Sequence, residues 1–358
     1  MTNAVVEAAD FWEARSPFVR RLLRSFSAAD AAAFFREIGV ALHEEPGGKL
    51  FPDTNRARTV LDALLAEADR RGVRIESSRR VTGVARDGVG FRVETPARPV
   101  VARRVVLATG GLSLPKTGSD GAGYVFATAL GHSQVATTPA LAPLLLEGDF
   151  HPPLSGVSLE EEITVHAPPR KPARVRGALL FTHFGVSGPV ALDASRFWHR
   201  ARAEGRDVRV TASLLPGEHF EDVEGWLLEL AARRPRLAVE SALGERLPAA
   251  VAAALVRERG LEGTSVGRLP REDRRALVHA LVERPLPVRD SRGYNFAEVT
   301  SGGIPLSEVD PATMESRRCP GLFLVGEILD VDGRIGGFNF QWAWSSAWVC
   351  AEGVVKGL

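Results

Sequence analysis

Apolar positions fall at helical spacing in two early stretches of the chain. Between Thr54 and Arg71 they occur at Ala57, Val60, Leu61, Leu64, Leu65 and Ala68, which is one face of a helix, and Gly72 supplies the stop. Ala28–Ile38 predicts a shorter helix, opened by Ser27 three residues before Asp30 in a capping-box pattern and closed at Gly39. After Gly72 the period changes to that of strands, at Val73–Glu76, Arg80–Arg86, Phe91–Thr95 and Val100–Leu107, with Asp87–Gly88 and Pro96 as turns. Helix, strand, β-meander and apolar strand in that order predict a three-layer α/β nucleotide-binding domain.

The pattern then changes. From Leu141 to about Pro216 short strands alternate with proline-rich turns, as in a small β domain. Glu218–Glu283 predicts about three amphipathic helices, broken near Pro235, Gly260–Gly263 and Pro270. Strand character returns at Leu286–Val288, Ala297–Thr300 and Leu322–Val325, and an apolar helix follows from about Phe340 to Gly353. The expected division is 1–140 and 286–358 as two parts of one α/β domain, interrupted by a β module at 141–216 and a helical module at 217–285.

Composition narrows the function classes. The 358 residues are 45% hydrophobic and 25% charged, with 45 basic against 44 acidic side chains and a net charge of +1. That balance offers no general field for nucleic acid or an anionic membrane, so neither is expected as a partner. Cys319 and Cys350 stand far apart with no CxxC pairing, which argues against a disulfide framework, a cysteine-ligated metal or a redox dithiol. No apolar run approaches the ~18 residues of a membrane span, and Glu7 and Asp10 lie where a signal peptide is apolar. A cytoplasmic protein is expected, its oligomeric state open.

Two strand ends carry the candidate chemistry. Val105–Gly111 (VVLATGG) is an apolar strand running into Thr109, Gly110 and Gly111; ligands of open α/β sheets sit at such ends, although any strand ending in a turn looks alike. Gly321–Gln341 (GLFLVGEILDVDGRIGGFNFQ) is more specific. Its strand ends at Gly326–Glu327, Asp330 follows, and Gly336–Gly337, Asn339 and Gln341 precede a helix. Carboxylates there suit ribityl or ribose hydroxyls, and free N–H groups in the first helical turn suit negative charge on a reduced flavin. Ordinary Asp and Gly turn chemistry is the bland alternative, and two strand ends with opposite halves of the expected contacts make it the weaker one. Gly118–Gly123 (GSDGAG) reads as the N-terminal turn of a short helix, because no strand directly precedes it as the dinucleotide fingerprint demands. Trp342, Trp344 and Trp348 read as core of the last helix rather than a stacking platform. His183, in FTHFGVSGP, suits proton transfer, but a histidine satisfied by backbone is commoner.

With Phe51–Pro52, VVLATGG, PKTGSDGAGY, FTHFGVSGP, EVTSGG and GEILDVDGRIGGFNFQWAWSS in this order, the chain resembles the BaiN/YhiN-like NAD(P)/FAD-dependent oxidoreductases, also called aminoacetone oxidase family FAD-binding enzymes. The resemblance spans essentially the whole chain. It implies a discontinuous FAD-binding domain of the glutathione reductase type, interrupted by a β-barrel-like and a helical insert. It further implies that Thr109, Gly110 and Gly111 lie near FAD, that Gly326, Glu327 and Asp330 lie along the ribityl chain, and that Gly336, Gly337, Asn339 and Gln341 form the turn at the flavin ring. Val81, on the first strand of the meander, matches a position whose backbone meets adenine.

One departure stands out. The family begins with a strand, a GxGxxG turn and a helix, then a segment ending in Val-Thr-Asn, to which Met1-Thr2-Asn3 corresponds. The first βαβ unit, which holds the pyrophosphate and pairs beside Val73–Glu76 and Val105–Leu107, is therefore expected to be missing through a start codon placed too late. The implied function is an FAD-dependent oxidoreductase passing hydride to or from a small organic substrate, with NAD(P)H as transient donor or oxygen as the other partner. The alternatives are a truncated, non-catalytic remnant and a fumarate reductase-like flavoprotein.

Overall fold

The computed structural model describes residues 1–12 and 17–356. The chain forms two compact units, Met1–Thr137 with Val299–Leu358, and Thr138–Glu298.

The first unit opens with β1 (Thr2–Asn3), β2 (Phe11–Trp12), α1 (Pro17–Ser25), α2 (Ala28–Glu37), β3 (Leu42–Glu45) and β4 (Lys49–Pro52). β4 lies between β1 and β3, antiparallel to both. α2 starts on the expected capping box: Asp30 N–H donates to Ser27 Oγ at 3.2 Å and Ser27 N–H to the Asp30 carboxylate at 2.8 Å. Such a cap contributes about 1 kcal/mol.

α3 (Ala57–Arg70) realises the predicted helix, yet none of its residues is buried, and Leu61 and Leu65 remain 48% and 42% exposed. The strand expected at Val73–Glu76 is absent; Val73 and Ile75 are irregular and exposed. An extended segment becomes a strand only when a neighbouring strand takes its N–H and C=O groups; here Val73 N–H turns back to Ala68 O at 2.9 Å, at the end of α3, and no described strand pairs with 73–76. β5 (Gly83–Asp87), β6 (Gly90–Glu94) and β7 (Val100–Ala102) form the antiparallel meander. Its first strand begins at Gly83, so Val81 lies two residues before it, not on it.

The apolar run 100–107 is two strands in two sheets. β7 pairs with β6, and β8 (Val105–Leu107) turns away to another partner. Both halves are apolar, so periodicity alone does not reveal the break. α4 (Ala122–Ala129) and β9 (Val135–Ala140) follow.

The second unit contains β10 (Leu144–Leu146), β11 (Ser158–His166), β12 (Ala173–Thr182), β13 (Gly185–Ser187), α5 (Pro189–Ala203) and β14 (Arg209–Ser213). It continues with α6 (Phe220–Arg233), α7 (Val239–Gly244), α8 (Ala249–Glu258), α9 (Arg271–Val282), β15 (Arg284–Pro285) and β16 (Val288–Ser291). Its seven strands form one antiparallel sheet in the order β15-β14-β11-β12-β13-β10-β16. Residues 220–282 form four α-helices rather than three, because Pro248 ends the run of α7 and opens α8. Sheet and helices share a core in which Leu179, Ala191, Val251, Leu255 and Leu277 are fully buried.

The chain then returns to the first unit with β17 (Val299–Gly303), beside β9, and β18 (Leu322–Leu324), parallel to β8. β19 (Asp332–Gly333) pairs with β2, and α10 (Phe338–Lys356) closes the described residues. Phe91, Leu322, Phe323, Phe338 and Trp342 centre this core. Trp342 is buried as expected of the last helix, whereas Trp348 is 43% exposed and stacks on Phe26 at 4.8 Å. β8 has β18 as its one described strand neighbour, and Val106 in its middle is 43% exposed. No helix among the described residues is long and apolar enough to cross a membrane.

Candidate functional site

β8 and β18 run in register, Val105 opposite Leu322 and Leu107 opposite Leu324, so their carboxyl ends open side by side. Beyond β8 comes Thr109–Gly111, with Gly110 at φ +68°; beyond β18 comes Gly326–Glu327, with Gly326 at φ +73°. β17 ties the two ends together through Thr300. Thr300 N–H donates to Glu327 Oε1 at 2.9 Å, and Thr300 Oγ1 accepts from Leu112 N–H at 2.7 Å and Ser113 N–H at 3.1 Å. Gly111 sits inside this knot: a Cβ there lies 2.6 Å from Thr300 Cβ and 2.7 Å from Glu327 Oε1. Burial pushes the Glu327 carboxyl up, opposed by the Thr300 hydrogen bonds.

The glycine-rich loop before α4 closes the other side. Gly121 N–H donates to Gly111 O at 3.1 Å, and a Cβ on Gly123 collides with Thr109. Asp120 accepts from the N–H of Ala122, the first residue of α4, at 3.2 Å, and it pairs with Arg80, the neighbour of Val81. Val81 itself is half-buried against the core. The glycine motif 118–123, a few residues on, and the segment containing Val81, well before it in sequence, are therefore both joined to Thr109–Gly111.

The turn before α10 reaches the strand ends through that helix. Trp342 Nε1–H donates to Gly326 O at 3.0 Å and Gly326 N–H to Ser346 Oγ at 2.9 Å, so both backbone groups of Gly326 are clamped. Gly337, at φ +98°, packs on β1, where a Cβ would lie 2.5 Å from Thr2 O. Asn339 spends its amide on Gly333, accepting from its N–H at 2.7 Å and donating to its carbonyl at 3.0 Å. Gln341 is fully buried, taking Thr2 Oγ1–H at 2.6 Å and donating to Phe26 O at 2.9 Å and Ser345 Oγ at 3.0 Å. These two side chains hold the turn. Asn3 Nδ2 donates to Gly336 O at 3.1 Å, and Asp330 N–H to Ile304 O at 2.9 Å.

Sequence reasoning missed Thr300, Thr2 and Ser346. Its one available signal for Thr300 was the Thr-Ser-Gly-Gly run at a strand end. His183 is exposed in the turn between β12 and β13, edge-on to Phe184.

A second constellation imitates a hydrolase. His132 lies between Glu308 Oε2, 2.8 Å from Nδ1, and Ser316 Oγ, 2.8 Å from Nε2. All three are buried, and Ser316 Oγ already accepts from Arg318 N–H at 3.0 Å and Cys319 N–H at 2.8 Å. A serine so occupied is a latch, not a nucleophile. Burial alone raises the Glu308 carboxyl, but bonds from Ser133, His132 and Arg318 outweigh it and the net shift is downward. Glu308→Ala is expected to cost about 3 kcal/mol or more, by stranding those donors, measured as a lower denaturant midpoint at unchanged slope.

The model for the HI0933-like protein Rossmann domain matches residues 1–353. The chain belongs to the HI0933-like Rossmann family. Among relatives of this family member, the ribosomal RNA dihydrouridine synthase of Escherichia coli K12 is 33% identical over 99% of this chain and 86% of its own length. The 3-dehydro-bile acid delta(4,6)-reductase of Clostridium scindens is 28% identical over 99% of this chain and 87% of its own. The ribosomal RNA dihydrouridine synthase of Haemophilus influenzae is 30% identical over 99% and 86%. Family membership agrees with the mixed α/β architecture and the parallel pair β8–β18.

Proposed function

We propose that this HI0933-like protein is an FAD-dependent reductase that saturates a carbon–carbon double bond conjugated to a carbonyl in a small organic substrate. The observation that carries the reading is the knot at the strand ends, where Thr300 binds the Thr109–Gly111 loop to Glu327. Ligands of α/β sheets collect at such ends. The names of the relatives agree in their chemistry, since forming dihydrouridine and reducing a Δ4,6 unsaturation both add hydrogen across a double bond.

Thr109, Gly110, Gly111, Gly326, Glu327 and Asp330 would line the ribityl portion of FAD, with Val81 toward the adenine. Gly336 and Gly337 would face the ring, held by Asn339 and Gln341. Bound FAD supplies hydride, with NAD(P)H as the source of electrons. The donor set fits such a group: a buried carboxylate for hydroxyls, and backbone at positive φ for close approach. The N-terminal end of α10 favours negative charge beside it. A pyrophosphate needs backbone donors at a helix N-terminus as well, and the open edge of β8 is where a strand–turn–helix unit would pair.

The test is anaerobic. Protein loaded with FAD is expected to bleach with NAD(P)H and to regain its yellow band on adding an α,β-unsaturated ketone. Recolouring by oxygen but by no conjugated carbonyl would sink the reductase reading. FAD retention compared between this chain and one translated from further upstream in its gene separates a weak site from an absent one.

A second reading takes the substrate to be a uridine in RNA. Arg20, Arg21 and Arg24 line one depression on α1 with Pro17 and Ser25, and none is ion-paired with a described residue. Three guanidiniums without an ion pair among the described residues suit phosphates in a way the net charge of +1 conceals. Reduction of uridine within an RNA fragment, weakening steeply with salt and with Arg20→Ala, favours this reading over the small-molecule one.

A further inference from the structure

The unit Thr138–Glu298 contains a cavity of about 430 Å³ that opens to solvent, a size ordinary for a small-molecule site. Its apolar walls are Leu146, Phe150, Phe181, Ala212, Leu214 and Leu286. Into this lining β11 sends Glu161. Along β11 the inward positions are Glu161, Ile163 and Val165, so a carboxyl occupies a place the strand period assigns to a core residue. Glu161 is 1% exposed, and its Oε1 has no hydrogen-bond partner. Across β12 it faces Gly177, which has no side chain to offer.

A buried carboxyl without a donor costs free energy that a ligand can recover. The surrounding charges indicate which ligand. Arg284, from β15, is held by Glu258 of α8 in two bonds of 2.7 Å and lies 3.6 Å over the Phe150 ring. The remaining charged lining is Glu147, Asp149 and Arg259, so carboxylates outnumber guanidiniums by three to two while Glu161 keeps its proton and by four to two once it ionises. His151 is kept toward its neutral form by burial. No described residue of α5, which also packs on β11, lines the cavity.

We propose that this cavity binds a small primary ammonium ion with an apolar body, its N–H donating to Glu161 Oε1. An anion meets an acid excess here, and a neutral alcohol leaves that excess uncompensated. The site lies in the second unit and is independent of the flavin reading.

Binding carries a proton count. Burial, opposed by Arg284, pushes the Glu161 carboxyl up to about 8. At neutral pH the group is protonated, so an arriving ammonium ion requires Glu161 to release one proton to solvent. Benzylamine titrated calorimetrically into the full chain, in two buffers of different ionisation heat near neutral pH, is expected to release close to one proton per amine bound. Affinity should rise by up to about tenfold per pH unit until the carboxyl is ionised. Glu161→Gln should bind at least about tenfold more weakly and release no proton, as should benzyl alcohol with the unaltered chain. Benzyl alcohol or benzoate binding as tightly as benzylamine, no proton release, or no benzylamine binding at millimolar concentration each overturns the proposal. The proton count is made on the unaltered chain and does not depend on a variant folding.

Discussion

Glu161→Gln is expected to gain stability relative to the unaltered protein as pH rises from about 5 to about 9. The carboxyl titrates near 4.5 when unfolded and is pushed up to about 8 by burial in the fold. Between those values the folded state holds a proton that the unfolded state has released. The stability this provides is complete below the unfolded value and is lost as pH rises through the folded one. One proton is worth about 1.4 kcal/mol per pH unit, so the difference between the two proteins should change by a few kcal/mol across the window. Glutamine has nothing to ionise. Other groups titrate too, His199 among them, which burial lowers to about 4, but they are common to both proteins and cancel. Urea unfolding at several pH values measures the result; a constant difference would mean that Glu161 is ionised in the fold.

Gly111→Ala is expected to damage stability and cofactor retention together. The added Cβ falls 2.6 Å from Thr300 Cβ and 2.7 Å from Glu327 Oε1, both on the opposite side of the knot. Something must shift. Overpacking of this kind costs about 1–3 kcal/mol, and freeing the Leu112 and Ser113 N–H groups from Thr300 adds a similar amount. FAD affinity should fall by tenfold or more, because the loop that would meet the ribityl chain moves with Gly111. Gly225→Ala is the control. That glycine lies within α6 with nothing within 4 Å of its Cβ position, so alanine should stabilise by about 0.5–1 kcal/mol. Equal melting of both variants would dismiss the knot.

Local signals were readable from sequence where one residue decides the outcome. Ser27 and Asp30 announced the start of α2, and the VVL and LFL runs announced β8 and β18. The strand at Val73–Glu76 failed because β structure depends on a second backbone, which periodicity does not supply. The extra helix boundary at Pro248 was legible in principle, since a proline ends one helix and opens the next. Thr300 was hidden for another reason: its partners lie 27 and 187–188 residues away. Glu161 left a trace that went unread. In Leu159, Glu161, Ile163 and Val165 the alternation of β11 places an acid in an apolar series, and such a mismatch marks a functional position more often than an error.

The bare side of β8 has a consequence for handling the molecule. A sheet margin that no described strand pairs with, beside apolar side chains such as Val106, is a template on which a foreign strand can lie down. A second copy of the chain is always the nearest such strand in a concentrated preparation. Self-association is therefore expected to grow with concentration from this margin, which no described strand covers.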